Sequence, residues 1–263
     1  MVDRSEWDGL LSERTDPSEI PVIEVPLQPS PQGGSGAFLA ADGDGKQWWV
    51  KPLNNQQLGK VIVTEHVVGR VGSLIDAPVC EVAVVELPDE ISGWEFRPGA
   101  HVEAGLAHGS AAIHPVSEDR SLVHRDRNDN QRRHAGIFAV YDWCWGGDPQ
   151  WLYSETNDLM IYSHDHGWYF PEEGNDWSEA TLTARADEER VLSWPTDGLD
   201  SAEVNRLAGA LDAVARADLV EILSQVPLSW PATTIELEAL GWFLERRAPQ
   251  VARRLTSMFG VPE

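Results

Sequence analysis

Asp42-Gly-Asp-Gly-Lys-Gln-Trp-Trp-Val-Lys51 is the stretch on which the fold turns. Asp-Gly-Asp-Gly is hairpin chemistry, because glycine accepts the positive φ angles that tight two-strand turns demand. Gln47–Lys51 is then the return strand of a hairpin, Ala37–Ala41 is its outgoing strand, and Lys51 stands at the end of the return. Upstream, Pro21 and Pro26 keep Val22–Leu27 extended and short. Ser30-Pro-Gln-Gly-Gly-Ser-Gly36 is a glycine-rich turn between those strands. Downstream, Val63, Val67, Val71 and Leu74 recur at helical spacing and predict a helix over 60–75, with Glu65 off the apolar stripe. Pro78 stops it, and Cys80–Leu87 reads as another strand.

The remainder changes character. Residues 1–20 are polar and acidic, an arm or a loosely held helix. Gly99–Ile113 is rich in glycine and alanine without clear period, and Glu118–His134 is a polar loop. Ile137–Trp145 is apolar and helical up to Gly146-Gly147, and Leu159–Tyr162 is a short strand running into Ser163-His-Asp-His-Gly167. From Ser201, an N-cap serine, the chain reads as helices: 201–216 with a Leu207/Leu211/Val214 stripe, 218–225 closed by Pro227, and 233–259, one helix or two divided at Pro249. A β-rich front and a helical back predict an α+β, two-lobed chain with a cleft between the lobes. The expected divisions are an arm 1–20, a β-rich lobe 21–100 and a mainly helical lobe 101–263.

Composition narrows the function classes. Among 263 residues, 43 Asp+Glu stand against 20 Lys+Arg, a formal net charge of −23. Long-range repulsion then opposes nonspecific encounters with nucleic acid or an anionic membrane. No apolar run approaches the roughly 20 residues that span a bilayer, and the acidic amino terminus lacks a signal peptide's apolar core. Cys80 and Cys144 are too few for a disulfide framework. The expectation is a cytoplasmic protein. Its three lysines, Lys46, Lys51 and Lys60, fall close together and stand out as positive exceptions in an acidic chain.

Two constellations could carry chemistry. A glycine turn (Gly33, Gly34, Ser35, Gly36), a strand lysine (Lys51) and a helix glutamate (Glu65) follow the order used in phosphoryl transfer of the kinase type. There a glycine loop covers phosphates, the lysine contacts them, and the glutamate fixes the lysine. Gly33-Gly-Ser-Gly36 departs from both the GxGxxG and the Walker spacing, and an ordinary hairpin with a solvated lysine has the same local signature. The second constellation is Asp142 and Asp148 in Tyr141–Trp151, followed by Asp165 in Ser163–Gly167. An aspartate between a strand and a glycine can aim at a metal in a cleft, and an upstream aspartate can orient an acceptor hydroxyl. Alternatively His164 and His166, at i and i+2, could share one strand face and hold zinc or iron in a metal-dependent hydrolase. The tryptophans of 143–151 and 168–177 are assigned to packing. Gly105-Leu-Ala-His-Gly-Ser110 lacks the GxSxG spacing of a hydrolase elbow. Arg120, Arg125, Arg127, Arg132 and Arg133 make loop 120–134 either anion-facing or a solvated surface with internal ion pairs.

Taken together, Trp48-Trp-Val-Lys-Pro52, Glu65, Gly105–Ser110, Val140-Tyr-Asp142, Ser163–Gly167, and Val226-Pro-Leu-Ser-Trp230 before Arg246-Arg247 resemble the HipA-like kinase domain, over roughly residues 20–255. That resemblance implies a protein-kinase-like fold, ATP and Mg²⁺, and a hydroxyl on a protein or small molecule as acceptor. It implies that Lys51 contacts the nucleotide phosphates, Glu65 holds Lys51 and Asp165 binds metal. The family's Asn-x-Asp-Arg-x-x-x-Asn loop is replaced by Gly146-Gly-Asp-Pro-Gln150-Trp151. Asp148 is the best match to the catalytic aspartate, Asp142 competes with it, and Gln150 stands in for the metal-side asparagine. Without the asparagines the domain could instead be an inactive nucleotide binder, a pseudokinase acting as a regulatory module.

Overall fold

In the computed structural model, residues 2–30, 36–55, 57, 59–173 and 176–258 are described. The first sheet is built from β1 (Ile23–Pro29), β2 (Phe38–Asp42), β3 (Gln47–Lys51) and β4 (Val82–Leu87). Between β3 and β4 in the chain runs helix α1 (Val61–Leu74), and after β4 come the short β5 (Glu95–Arg97) and β6 (Ala100–His101). Then follow β7 (Gly105–Ala111), β8 (Val116–Asp119), α2 (Asn130–Trp143), β9 (Trp151–Ser154), β10 (Met160–Ser163), and the ribbon β11 (Glu172–Glu173) and β12 (Asp176–Trp177). The chain ends in α3 (Glu179–Arg185), α4 (Ser201–Asp212), α5 (Arg216–Ser224) and α6 (Thr234–Met258).

The five-stranded sheet runs β1-β2-β3-β7-β4, every neighbour antiparallel. The β2–β3 hairpin forms as its turn chemistry requires: the Asp42 carboxylate accepts from the amides of Asp44 and Lys46, and Gly45 takes φ +79°. The stretch with no clear period, Gly105–Ala111, is the interior strand β7 between β3 and β4, although it lies beyond residue 100. Its small residues carry little β-propensity, so pairing on both sides makes the strand. At Gly109 a Cβ would lie 2.7 Å from Val85, so only glycine fits that position.

Below this sheet lies a three-stranded one, β10-β9-β8, and then the helices. The core has two parts. Phe38, Trp48, Val50, Val85 and Phe96 fill the sheet side. Val63, Val67 and Val71 of α1 instead join the larger core with α2, α4, α5 and α6. Helix α1 therefore packs on both sides, against β4 and β7 of the sheet and against α5 of the helical part.

One local expectation is corrected and one that the sequence left open is decided. Helix α2 starts at Asn130, inside the stretch expected to be a polar loop. The buried Asn130 amide donates to the carbonyls of His124 and Leu159, and its oxygen accepts from the Ile161 amide, so tertiary bonds rather than an apolar stripe hold the first turn. Helix α6 runs unbroken through Pro249. Proline withholds one donor there, but buried Leu244, Val251, Ala252 and Leu255 keep the axis continuous. The acidic amino-terminal segment is docked rather than loose, with Trp7 fully buried and its indole donating to Glu245 at 2.6 Å. No helix among the described residues is long and apolar enough to cross a membrane.

Candidate active site

The hairpin register brings the second constellation together. Trp151 pairs with Ser163 across β9–β10, and Asp119 pairs with Trp151 across β8–β9. The residues just outside these pairs, Arg120, Gln150 and His164-Asp165, therefore emerge at one end of the sheet. The His164 amide approaches the Gln150 carbonyl at 3.5 Å. Ser163 also bonds the chain entering β4, through the Cys80 amide (3.1 Å) and the Pro78 carbonyl (2.7 Å), which ties this end to the first sheet.

Lys51 comes down from β3 into the same place. Its ammonium donates to Glu65 Oε1 of α1 and, at 2.6 Å, to Asp165 Oδ1. The lysine and glutamate side chains are almost wholly buried, while that of Asp165 keeps 29% exposure. The other Glu65 oxygen lies 3.3 Å from His108 Nε2 on β7, the strand paired with β3, so both glutamate oxygens are engaged. Burial works against the Lys51 charge, but Asp165 and Glu65 outweigh it and hold the ammonium above the ordinary lysine range. Lys51 in turn draws the Asp165 carboxyl far below the usual range, against the desolvation that would raise it. Asp165 sits at φ +53°, and Gly167 lets the turn meet α1 directly: a Cβ there would be 2.7 Å from Val61 and 3.1 Å from Glu65.

No protein-family model matches the chain, and no curated protein matches it in sequence. Among solved structures it is similar to the Helicobacter pylori proinflammatory kinase CtkA, at a TM-score of 0.59 and 10% identity over 93% of this chain and 100% of that one. The fold is kinase-like. Structures of the Golgi casein kinase, one with Mn/ADP bound, align over 98% of this chain and 77% of theirs at 12–13% identity, with TM-scores of 0.47 and 0.48. At those scores they add nothing to the fold assignment.

In this kinase-like frame the two candidate aspartates part company. Asp148, at φ +30°, lies at the same end of the β9–β10 hairpin with 34% side-chain exposure. Its Oδ1 pairs with exposed Arg120 at 2.9 Å, and its Oδ2 accepts from the Gln150 amide at 2.9 Å. Asp142, the competing candidate, is corrected: it lies at the end of α2 inside the helical core. Its carboxylate is held there by Arg247 (2.9 Å) and Arg254 (2.7 Å), and no acceptor hydroxyl can reach it. The zinc or iron site on His164 and His166 does not assemble either. Residues 164–166 lie past the end of β10, so their side chains do not alternate as in a strand. The His166 ring bonds Ser163 Oγ at 2.8 Å and packs on Tyr169. No group of three or more His, Cys, Asp or Glu in metal-holding geometry occurs among the described residues.

Gly33, Gly34 and Ser35 of the glycine turn lie outside the described residues. Gly36 takes φ +70° with Arg97 close against it. The lysine cluster disperses: Lys46 pairs with Glu81 at 2.6 Å on the surface, Lys60 is buried away from Lys51, and Lys51 alone faces the site. The arginines of loop 120–134 are mostly taken up by groups elsewhere in the fold. Arg125 bonds His134 and the Asp197 carbonyl, Arg127 pairs with Asp158, Arg132 pairs with Asp129 and Glu203, and Arg133 bonds the Ile161 carbonyl. Arg120 alone of the five reaches the site. His108 was missed by sequence reasoning. Its signal was slight, a histidine inside Ala-His-Gly whose register opposite Lys51 appears only once β7 is recognised as a strand.

Proposed function

We propose that the chain is an ATP-dependent phosphotransferase of the HipA-like kind, moving the γ-phosphate of ATP to a hydroxyl of a protein or small molecule. The observation that carries this is the buried ammonium of Lys51, clamped between Glu65 of α1 and Asp165 of the turn after β10. A lysine so fixed and held charged, beside the part-exposed Asp165, is a preorganised anchor for phosphate oxygens, and positioning with charge stabilisation is most of what phosphoryl transfer requires.

The residues present fit a hard divalent cation. Asp165 is held ionised, and Asp148 and Gln150 bring further oxygens to the same end of the β9–β10 hairpin. Mg²⁺ commonly binds through one or two carboxylates plus the phosphates themselves, so a complete protein cage is not needed. When bound, Mg²⁺ would neutralise charge on the phosphate oxygens. Asp165 and Gln150 would hold it. Asp148 would accept the proton of the acceptor hydroxyl as that oxygen bonds to the γ-phosphorus and the bridging oxygen departs with ADP. For this Arg120 must swing away from Asp148, which its 72% side-chain exposure permits.

The same contact supports a second possibility. With both Asp148 oxygens engaged by Arg120 and Gln150, the site suits nucleotide retention without turnover, as in a pseudokinase with a regulatory role. The deciding experiment incubates the protein with Mg²⁺·ATP and hydroxyl acceptors, including the protein itself, and follows ADP release and added phosphate mass. Turnover that disappears in Asp148→Asn while nucleotide binding persists establishes the transferase. Binding without turnover in wild type leaves the pseudokinase, and no binding at all sinks both.

A further inference from the structure

Lys60, one residue before α1, is buried and shares none of the partners of Lys51. Its ammonium donates to the Trp177 carbonyl at 2.8 Å, pairs with Glu236 of α6 at 2.8 Å and lies 3.4 Å from Asp176. The same ammonium stands 4.8 Å from the centroid of the Trp177 ring. Trp177 is itself buried, and its indole donates to Thr64 Oγ1 at 2.9 Å, while that hydroxyl donates to the Lys60 carbonyl at 3.0 Å. Thr64 immediately precedes Glu65. The first turn of α1 is thus bound on one side by main-chain and indole groups of Trp177 and on another by α6, and Gly167 abuts Val61 from the catalytic end.

We infer that Lys60 and Trp177 are positioning residues that pin the first turn of α1 to the helical lobe and so keep Glu65 within reach of Lys51. The inference deepens the phosphotransferase reading and rests on it for its catalytic consequence. An outward tilt of the first turn of α1 would carry Glu65 off the ammonium and leave Lys51 with Asp165 alone. A buried lysine serving only to fill space would need its charge matched, but would not need three acceptors from two separate segments meeting at the residue that starts this helix. All of the fastening groups come from within the chain. The Lys51–Glu65 pair is therefore assembled in the resting protein and awaits neither a modification nor a partner.

The test uses the full chain as wild type, Lys60→Met, Lys60→Arg, Trp177→Phe, Glu65→Gln and the double variant Lys60→Met/Glu65→Gln. Asp176 and Glu236 are partly exposed and can be resolvated when the lysine is removed, so Lys60→Met is expected to fold. Two readouts are taken: hydrogen exchange of α1 against α4, and Mg²⁺·ATP affinity. Lys60→Met and Trp177→Phe should speed exchange in the first turns of α1 while leaving α4 unchanged. Lys60→Met should weaken nucleotide binding about tenfold, a coupling typical of groups in one contact network. Lys60→Arg should restore most of that loss, and the double variant should bind no more weakly than Glu65→Gln alone. Equal factors in the two backgrounds would show that Lys60 does not act through Glu65, and exchange rising equally in α1 and α4 would show a general stability effect; either overturns the inference. If wild type binds no Mg²⁺·ATP, the functional proposal falls on that result. The fastening of α1 is then decided by exchange alone, with unchanged α1 protection in Lys60→Met overturning it.

Discussion

Replacing Asp142 by asparagine separates a structural acid from a catalytic one. In the wild type Asp142 Oδ1 accepts from Arg247 Nη2 (2.9 Å), Arg254 Nη2 (2.9 Å) and the Arg190 amide (3.1 Å), while Oδ2 accepts from Arg254 Nε (2.7 Å). Arg247 is fully buried and also donates to the carbonyls of Trp143, Arg185 and Glu188, so this ion pair joins α2, the segment after α3, and α6. Burial already pulls the Arg247 guanidinium down to about 10, with Asp142 the chief opposing influence. Asparagine removes the charge and turns an NH₂ toward at least one arginine donor, leaving a buried cation uncompensated. Breaking one partner of a buried pair costs about 3–5 kcal/mol. At about 2–4 °C per kcal/mol for a domain near this size, the melting temperature should fall by about 6–20 °C. Asp148→Asn, by contrast, loses only an exposed pair with Arg120, worth about 0–1 kcal/mol, and should melt within about 4 °C of wild type. Thermal unfolding by circular dichroism reads both. An Asp142→Asn protein that melts within about 2 °C of wild type would refute the assignment of Asp142 to the scaffold.

Lys51→Met should also be less stable than wild type, by an amount that depends on pH. In the wild type the Asp165 carboxyl is depressed, so its stabilisation is present above the unfolded value of about 3.9 and is lost only as pH falls below it. Without the ammonium, the desolvation that opposes ionisation of Asp165 is no longer outweighed and its carboxyl rises, so the stability gap between variant and wild type should narrow as pH drops from about 7 to about 5. Melting curves of the two proteins taken in parallel cancel the shared contribution of buried histidines such as His166, and a constant or widening gap contradicts the geometry. Gly241→Ala would place a Cβ 2.1 Å from the Trp7 ring and should unseat the amino-terminal segment. Limited proteolysis should then cut within residues 1–20 while the rest stays intact, and unchanged protection of the segment would contradict that docking.

What was legible in the sequence follows from how local each signal is. The β2–β3 hairpin is written in Asp42-Gly-Asp-Gly45, and Lys51 follows at a fixed strand distance. Glu65 could be placed because the apolar stripe of α1 fixes the helix face, and Asp165 because a glycine two residues on marks a turn after a strand. Their meeting in one ion cluster follows from the sheet order. What stayed hidden depended on distant partners. Nothing near Asp142 distinguishes it from Asp148, because Arg247 and Arg254 lie more than a hundred residues away. Strand β7 has small residues whose extended form comes only from β3 and β4 on either side. The start of α2 depends on Asn130 bonding across to Leu159 and Ile161. Lys60 looks like a neighbour of Lys51 in the chain, yet its ammonium is taken up by Trp177 and by Glu236 of α6, partners more than a hundred residues away.

The central claim is that Lys51, fixed by Glu65 and Asp165, is the phosphate anchor of a nucleotide site. Isothermal titration of ATP into the protein, with and without Mg²⁺, and into Lys51→Met shown by circular dichroism to be folded, tests it most directly. The account predicts one saturable site in wild type that tightens with Mg²⁺ and weakens at least about tenfold in Lys51→Met, as expected when a charge-assisted phosphate contact is lost. Saturable binding of equal strength in wild type and Lys51→Met, or no binding to wild type with Mg²⁺ present, would contradict it.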